Sequence, residues 1–102
     1  MRKAEIRMHD VIAGHLEETD EGYQFVYLNG YTGDPVSITM PVTTEPYRSM
    51  ILFPFFDGLI PEGWLLEIAG RNWKLDPRDR MGLLLTCCKE CIGAVSVTDV
   101  TP

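Results

Sequence analysis

The sequence predicts an α+β fold, a small antiparallel β-sheet packed against two or three short helices. Three observations predict it. Apolar residues alternate with polar ones through the first forty positions, recur at helical spacing between Pro61 and Cys88, and alternate again from Ala94 to Val100. A chain of 102 residues suits a single domain over residues 1–102, since domains typically hold roughly 50 to 250 residues around one core.

Each element follows from its own pattern. Ala4, Ile6 and Met8 alternate, as do Ile12, Gly14 and Leu16, which makes a hairpin with His9-Asp10 as its turn. The polar run from Glu17 to Gly22 reads as the next turn. Tyr23, Phe25 and Tyr27 then share one face of a strand, with Val26 and Leu28 on the other. Asn29 to Pro35 (N-G-Y-T-G-D-P) is rich in residues that tolerate turn dihedrals and reads as a loop. Val36, Ile38 and Met40 alternate once more and stop at Pro41, so a further strand is expected there.

Residues 50–60 (M-I-L-F-P-F-F-D-G-L-I) are too apolar for a surface loop, while Pro54 and Gly58 forbid a long helix. A short helix or turn against the sheet is expected. Pro61 fits the first position of the next helix and Glu62 suits its positive end. Trp64, Leu65, Ile68 and Ala69 follow at helical spacing, and Gly70 is a fitting stop. In the last helix Asp76 is placed to cap, Pro77 takes the first turn, and Met81, Leu84, Leu85 and Cys88 follow at i, i+3, i+4 and i+7. Ala94 to Val100 closes the chain as a strand.

Charge narrows the function. With 9 basic and 15 acidic side chains the net charge is −6, which opposes direct nucleic-acid binding, because that needs a Lys/Arg footprint to displace phosphate counterions. The acidity is concentrated: residues 10–62 hold nine acids and only Arg48 as a cation. Such a face either solvates the domain or complements a basic partner. The longest stretch without a charged residue, Gly22 to Gly33, is twelve residues, short of the about 20 that a transmembrane helix needs. The first residues, M-R-K-A-E, lack the apolar run of a signal peptide. No membrane contact is expected, and a cytoplasmic location is. Cys87, Cys88 and Cys91 read C-C-x-x-C at the end of a helical pattern, and His9 and His15 lie in the hairpin without ligand spacing. Reduced thiols packed as small hydrophobes fit better than a metal or redox site.

Catalytic constellations are missing from the sequence. It holds no G-x-x-x-x-G-K-[ST] or G-x-G-x-x-G loop, no G-x-S-x-G around Ser37, Ser49 or Ser96, and no histidine beside a cysteine. The F-D-G at Phe56 has the wrong order for the kinase D-F-G, and no H-R-D-type loop accompanies it. Asp57 and Glu62 are a possible carboxylate pair, but acids at helix starts more often serve as caps. No enzyme activity, cofactor or metal is expected.

One segment exceeds what a core helix needs: Phe53-Pro-Phe-Phe-Asp-Gly-Leu-Ile-Pro-Glu-Gly-Trp64. Phe53, Phe55 and Phe56 suit the seam between helix and sheet. Trp64, on the first turn after Pro-Glu-Gly, fits either the core or an interface, where tryptophan is over-represented among dominant residues.

That block resembles the HipA kinase N-terminal domain. L-F-P-F-F-D-G-L-I-P-E-G-W, preceded by V-S-I-T-M-P from Val36 and followed by G-L-L from Gly82 and G-A-V-S-V from Gly93, follows the family's order and spacing over roughly residues 4 to 100. Two positions depart from the family's pattern, Cys88 for the usual Gly and Glu90 for the usual Asp. The resemblance implies a non-catalytic module, and the chain's extent makes it similar to the stand-alone HipS-like antitoxins of three-component toxin–antitoxin systems. In those systems a shorter kinase, HipT, is the toxin, and HipB is the DNA-binding member. The resemblance therefore implies a HipT- or HipA-like kinase as direct partner, with a HipB-like protein in a larger complex. It also moves Trp64 toward the interface, with Pro61, Glu62, Gly63 and Asp57 as its neighbours in the contact. The alternative is a structural subdomain or split subunit that scaffolds assembly with HipB without inhibiting.

Overall fold

Residues 1–60, 76, 78–87 and 94–102 are described by the computed structural model of the chain, which bears out the α+β class. Strands β1 (Lys3–Met8), β2 (Val11–Thr19), β3 (Gly22–Tyr27) and β4 (Tyr47–Ser49) precede helix α1 (Pro54–Asp57); helix α2 (Arg80–Cys87) and strand β5 (Val95–Asp99) complete the described elements. All pairings are antiparallel, in the order β4-β3-β2-β1-β5. The chain thus builds outward from the first hairpin and returns at its end to pair beside β1.

The alternation read from the sequence sets the buried face. Ala4, Ile6 and Met8 of β1, Leu16 of β2, Phe25 and Tyr27 of β3, and Val95 and Val97 of β5 are buried. Phe56 of α1 and Met81, Leu83, Leu84 and Leu85 of α2 join them in one core. Phe25 is the hub: its ring meets Tyr27 at 4.9 Å and Phe56 at 5.4 Å between centroids. Gly14 permits this, because a Cβ there would stand 3.0 Å from Phe25 Cζ and 2.3 Å from the Val26 carbonyl oxygen.

The first hairpin turns as expected at His9-Asp10, both with positive φ (51° and 66°), the geometry of a two-residue turn matched to strand twist. Several boundaries differ from the sequence reading. A register shift at Ile6/Arg7 pairs Ile6 with Gly14 and Arg7 with Ile12. The extra residue turns Ile12 to a half-buried position and buries Ala13 instead. The polar run after Glu17 is largely strand, since β2 continues to Thr19 and β3 begins at Gly22.

The strand expected at 36–40 is a tight turn. The Met40 N–H donates to the Ser37 carbonyl at 3.1 Å, the two residues form an isolated bridge, and Ile38 at the tip is 96% exposed. Val36 and Met40 are buried all the same. The reason is Tyr27, whose hydroxyl accepts from the Val36 N–H at 3.0 Å and donates to the Met40 carbonyl. The fourth strand lies later, at Tyr47–Ser49.

Candidate functional site

The candidate contact comprises Asp57, Pro61, Glu62, Gly63 and Trp64. Asp57 is the member within the described residues; Pro61, Glu62, Gly63 and Trp64 lie outside them, as do Pro77, Cys88, Cys91 and the Cys87 side chain. The approach to the segment is well defined. Pro54 opens α1 at its first turn, where the missing N–H is no loss. One turn suffices, because Gly58 stops it with its N–H on the Pro54 carbonyl. Phe53 and Phe56 are buried and Phe55 partly so, and both meet Phe56 edge-on at 6.1 and 5.2 Å. The three phenylalanines therefore form the seam that their spacing suggests, leaving Asp57 at the surface.

Among the described residues, the Asp57 carboxylate pairs with a cation. Its Oδ1 accepts from Arg80 Nε at 2.5 Å, both side chains being about 40% exposed (41% and 38%). This bond raises the already high pKa of Arg80 and joins the end of α1 to the start of α2.

A second charged cluster lies on the neighbouring residue, and the sequence reading missed it. Arg2 forks between two carboxylates. Nε and Nη2 donate to Glu18 at 2.7 and 2.9 Å, while Nη1 and Nη2 donate to Asp79 at 2.8 and 2.7 Å. Asp79 also accepts the Gly82 N–H at 3.1 Å, and its carbonyl takes the Leu83 N–H at 3.1 Å. That is the geometry of an N-cap, so Asp79 caps the last helix and not Asp76. Asp76 serves a preceding turn, its carboxylate accepting the Arg78 N–H at 2.8 Å and its carbonyl the Asp79 N–H. The Arg2 hydrogen bonds hold the Glu18 and Asp79 carboxyls below their ordinary range. Gly82 is fitted to this cluster, because a Cβ there would stand 2.4 Å from Asp79 Oδ2 and 3.0 Å from Arg2 Nη1. An aspartate three residues before the glycine that opens G-L-L was the available signal; nothing local marks Arg2.

Among the described residues no group of three or more His, Cys, Asp or Glu side chains is placed to hold a metal ion, and no helix is long and apolar enough to cross a membrane.

Among the described residues, an antiparallel five-stranded sheet packed against two short helices, with a phenylalanine-rich turn joined to the second helix by an ion pair, defines a small α+β module. The chain belongs to the HipA N-terminal domain family, whose model matches residues 4–98. It is similar to an uncharacterized protein of Haemophilus influenzae, with 31% identity over 99 residues that take in 97% of this chain and 93% of the relative. Among solved structures it resembles one described as the N-terminal domain of HipA toxin, with a TM-score of 0.78 and 29% identity over 97% of this chain and 92% of that one. What matches is thus the N-terminal domain of HipA and not a kinase catalytic core.

Proposed function

We propose that this protein is a non-catalytic antitoxin of the HipS type, which binds a HipA- or HipT-like Ser/Thr kinase and restrains it. The observation that carries the reading is the match over residues 4–98 to a domain that in HipA accompanies a kinase. The similarity to a small protein, 93% of which is covered, supports it. A kinase must close its lobes on ATP and align its lysine, its glycine-rich loop and its metal-binding acid. A module docked beside the N-lobe and favouring the open state blocks that closure without touching the chemistry. A differential affinity of about 5.5 kcal/mol moves such a two-state switch from 99:1 to 1:99.

Trp64 is the anchor of this contact, with Pro61, Glu62, Gly63 and Asp57 as its other members. Growth rescue on co-expression with the cognate kinase, in the absence of a HipB-like protein, tests the function. Rescue by this chain alone is the expected result, and failure of the wild-type chain to inhibit overturns the reading. Trp64→Ala is expected to release inhibition while circular dichroism and the melting curve stay unchanged; an unfolded variant returns Trp64 to the core. A scaffolding role, in which the module joins the kinase to a HipB-like DNA-binding protein without inhibiting, is favoured by one observation. The solved relative is described as a domain of the toxin itself. Rescue by the HipB-like protein alone decides for that role. A cytoplasmic site of action follows from either reading.

A further inference from the structure

The backbone of the loop between β3 and β4 is bonded by side chains as well as by its own turn. Three tyrosine hydroxyls tie its backbone. Tyr27 bridges Val36 and Met40, Tyr31 donates to the Asp34 carbonyl at 2.7 Å, and Tyr47 donates to the Pro41 carbonyl at 2.6 Å. Tyr31 also stacks on Tyr27 at 5.8 Å. These bonds hold the Ser37–Met40 turn in place and carry Ile38 on its tip, 96% exposed, with Pro41 and Val42 exposed just beyond. An isoleucine so placed adds nothing to the core. A rigid apolar knob is instead suited to binding, because its ordering cost is met before the partner arrives.

Charge identifies the kind of partner. The loop's charged residues are Asp34 and Glu45, both exposed, and the sequence has no Lys or Arg between Arg7 and Arg48. A second copy of the chain would bring this acidic loop against its own like, which opposes association. A socket of opposite sign does not.

We infer that the Ser37–Met40 turn is a second contact point for the kinase partner, with Ile38 seated in an apolar socket rimmed by Lys or Arg side chains. The inference rests on the proposed function for the identity of the partner, and adds a surface distinct from the Asp57–Trp64 segment.

The test is titration of the full chain against the purified cognate kinase at low and high salt. Ile38→Asp is expected to weaken binding by about tenfold or more, the effect of losing an interface anchor. Asp34→Asn with Glu45→Gln is expected to slow association and flatten its salt dependence. Met50→Asp is the control, since Met50 is 86% exposed beside Gly22, at the other end of β3 from Tyr27, and is expected to leave affinity unchanged. Ile38→Ser guards against any folding defect of the charged variant, and both should melt as the wild type does. Binding of wild type and Ile38→Asp with equal affinity overturns the inference while leaving the proposed function standing, as does an equal loss from Met50→Asp. A wild-type chain that does not bind the kinase overturns both.

Discussion

Replacing Arg2 with alanine tests how this small fold fastens its last helix. Arg2 lies near the start of the chain, yet it donates to Glu18 at the far end of β2 and to Asp79 at the cap of α2. Its side chain is 34% exposed, against 23% for Glu18 and 37% for Asp79. Exposed ion pairs contribute about 0.2–1 kcal/mol, and hydrogen bonds to charged groups about 1.5–3 kcal/mol when well shielded. For two forked contacts at this intermediate exposure, Arg2→Ala should cost about 2 kcal/mol at pH 7. That corresponds to a fall in Tm of roughly 10 °C for a domain of this size. The loss should also carry a pH signature. Hydrogen bonds from Arg2 depress the Glu18 and Asp79 carboxyls from their ordinary 4.5 and 3.8. Their stabilisation is therefore complete above about pH 4.5 and is lost as pH falls through the depressed folded-state values. Urea unfolding of wild type and Arg2→Ala from pH 7 down into the acid range should show two curves that converge as the carboxylates protonate. A variant that loses less than about 0.5 kcal/mol at pH 7, or that keeps the wild-type acid dependence, refutes the reasoning.

Two further substitutions probe the turns. Tyr27→Phe removes the hydroxyl that serves both the Val36 N–H and the Met40 carbonyl; it should cost about 1–3 kcal/mol, the penalty for buried polar groups left unpaired, and amide exchange should speed selectively at Val36. His9→Asn with Asp10→Gly places residues that favour positive φ where the turn has 51° and 66°; a gain of about 1 kcal/mol in denaturant unfolding is expected.

The legible parts of this fold are those set by local pattern. The first hairpin, the Tyr23–Tyr27 face, the short helix broken by Pro54 and Gly58, and the final strand all follow from spacing and turn chemistry. The misread parts are those decided by a distant group. Val36, Ile38 and Met40 alternate as a strand would, but a hydroxyl nine residues before Val36 folds that stretch into a turn. Tyr47–Ser49 pairs with β3 over three residues, too few to show a period. Asp76 and Asp79 both suit a cap by composition, and only the bond from the Gly82 N–H decides between them. The register shift at Ile6 exchanges Ile12 for Ala13 in the core, which alternation alone does not foresee. At the candidate site, the phenylalanine seam was readable as apolar density, whereas the Arg80 partner of Asp57 was not, because the pair spans 23 residues.

The two ion-pair clusters have a joint consequence for the proposed contact. Asp79 and Arg80 are adjacent, yet they bind in different directions: Asp79 to Arg2 just before β1, and Arg80 to Asp57 at the end of α1. The start of α2 is thereby fixed against both the sheet and the phenylalanine turn. The end of α1 and the start of α2 are therefore held together at Asp57 and Arg80. Asp57→Asn and Arg80→Gln each break this pair and should each lower stability by about 0.2–1 kcal/mol in denaturant unfolding, the range for a half-exposed ion pair. Under the proposed function both variants should weaken kinase binding to a similar degree, because each removes the same pair; a loss from Asp57→Asn alone makes the Asp57 carboxylate itself a contact.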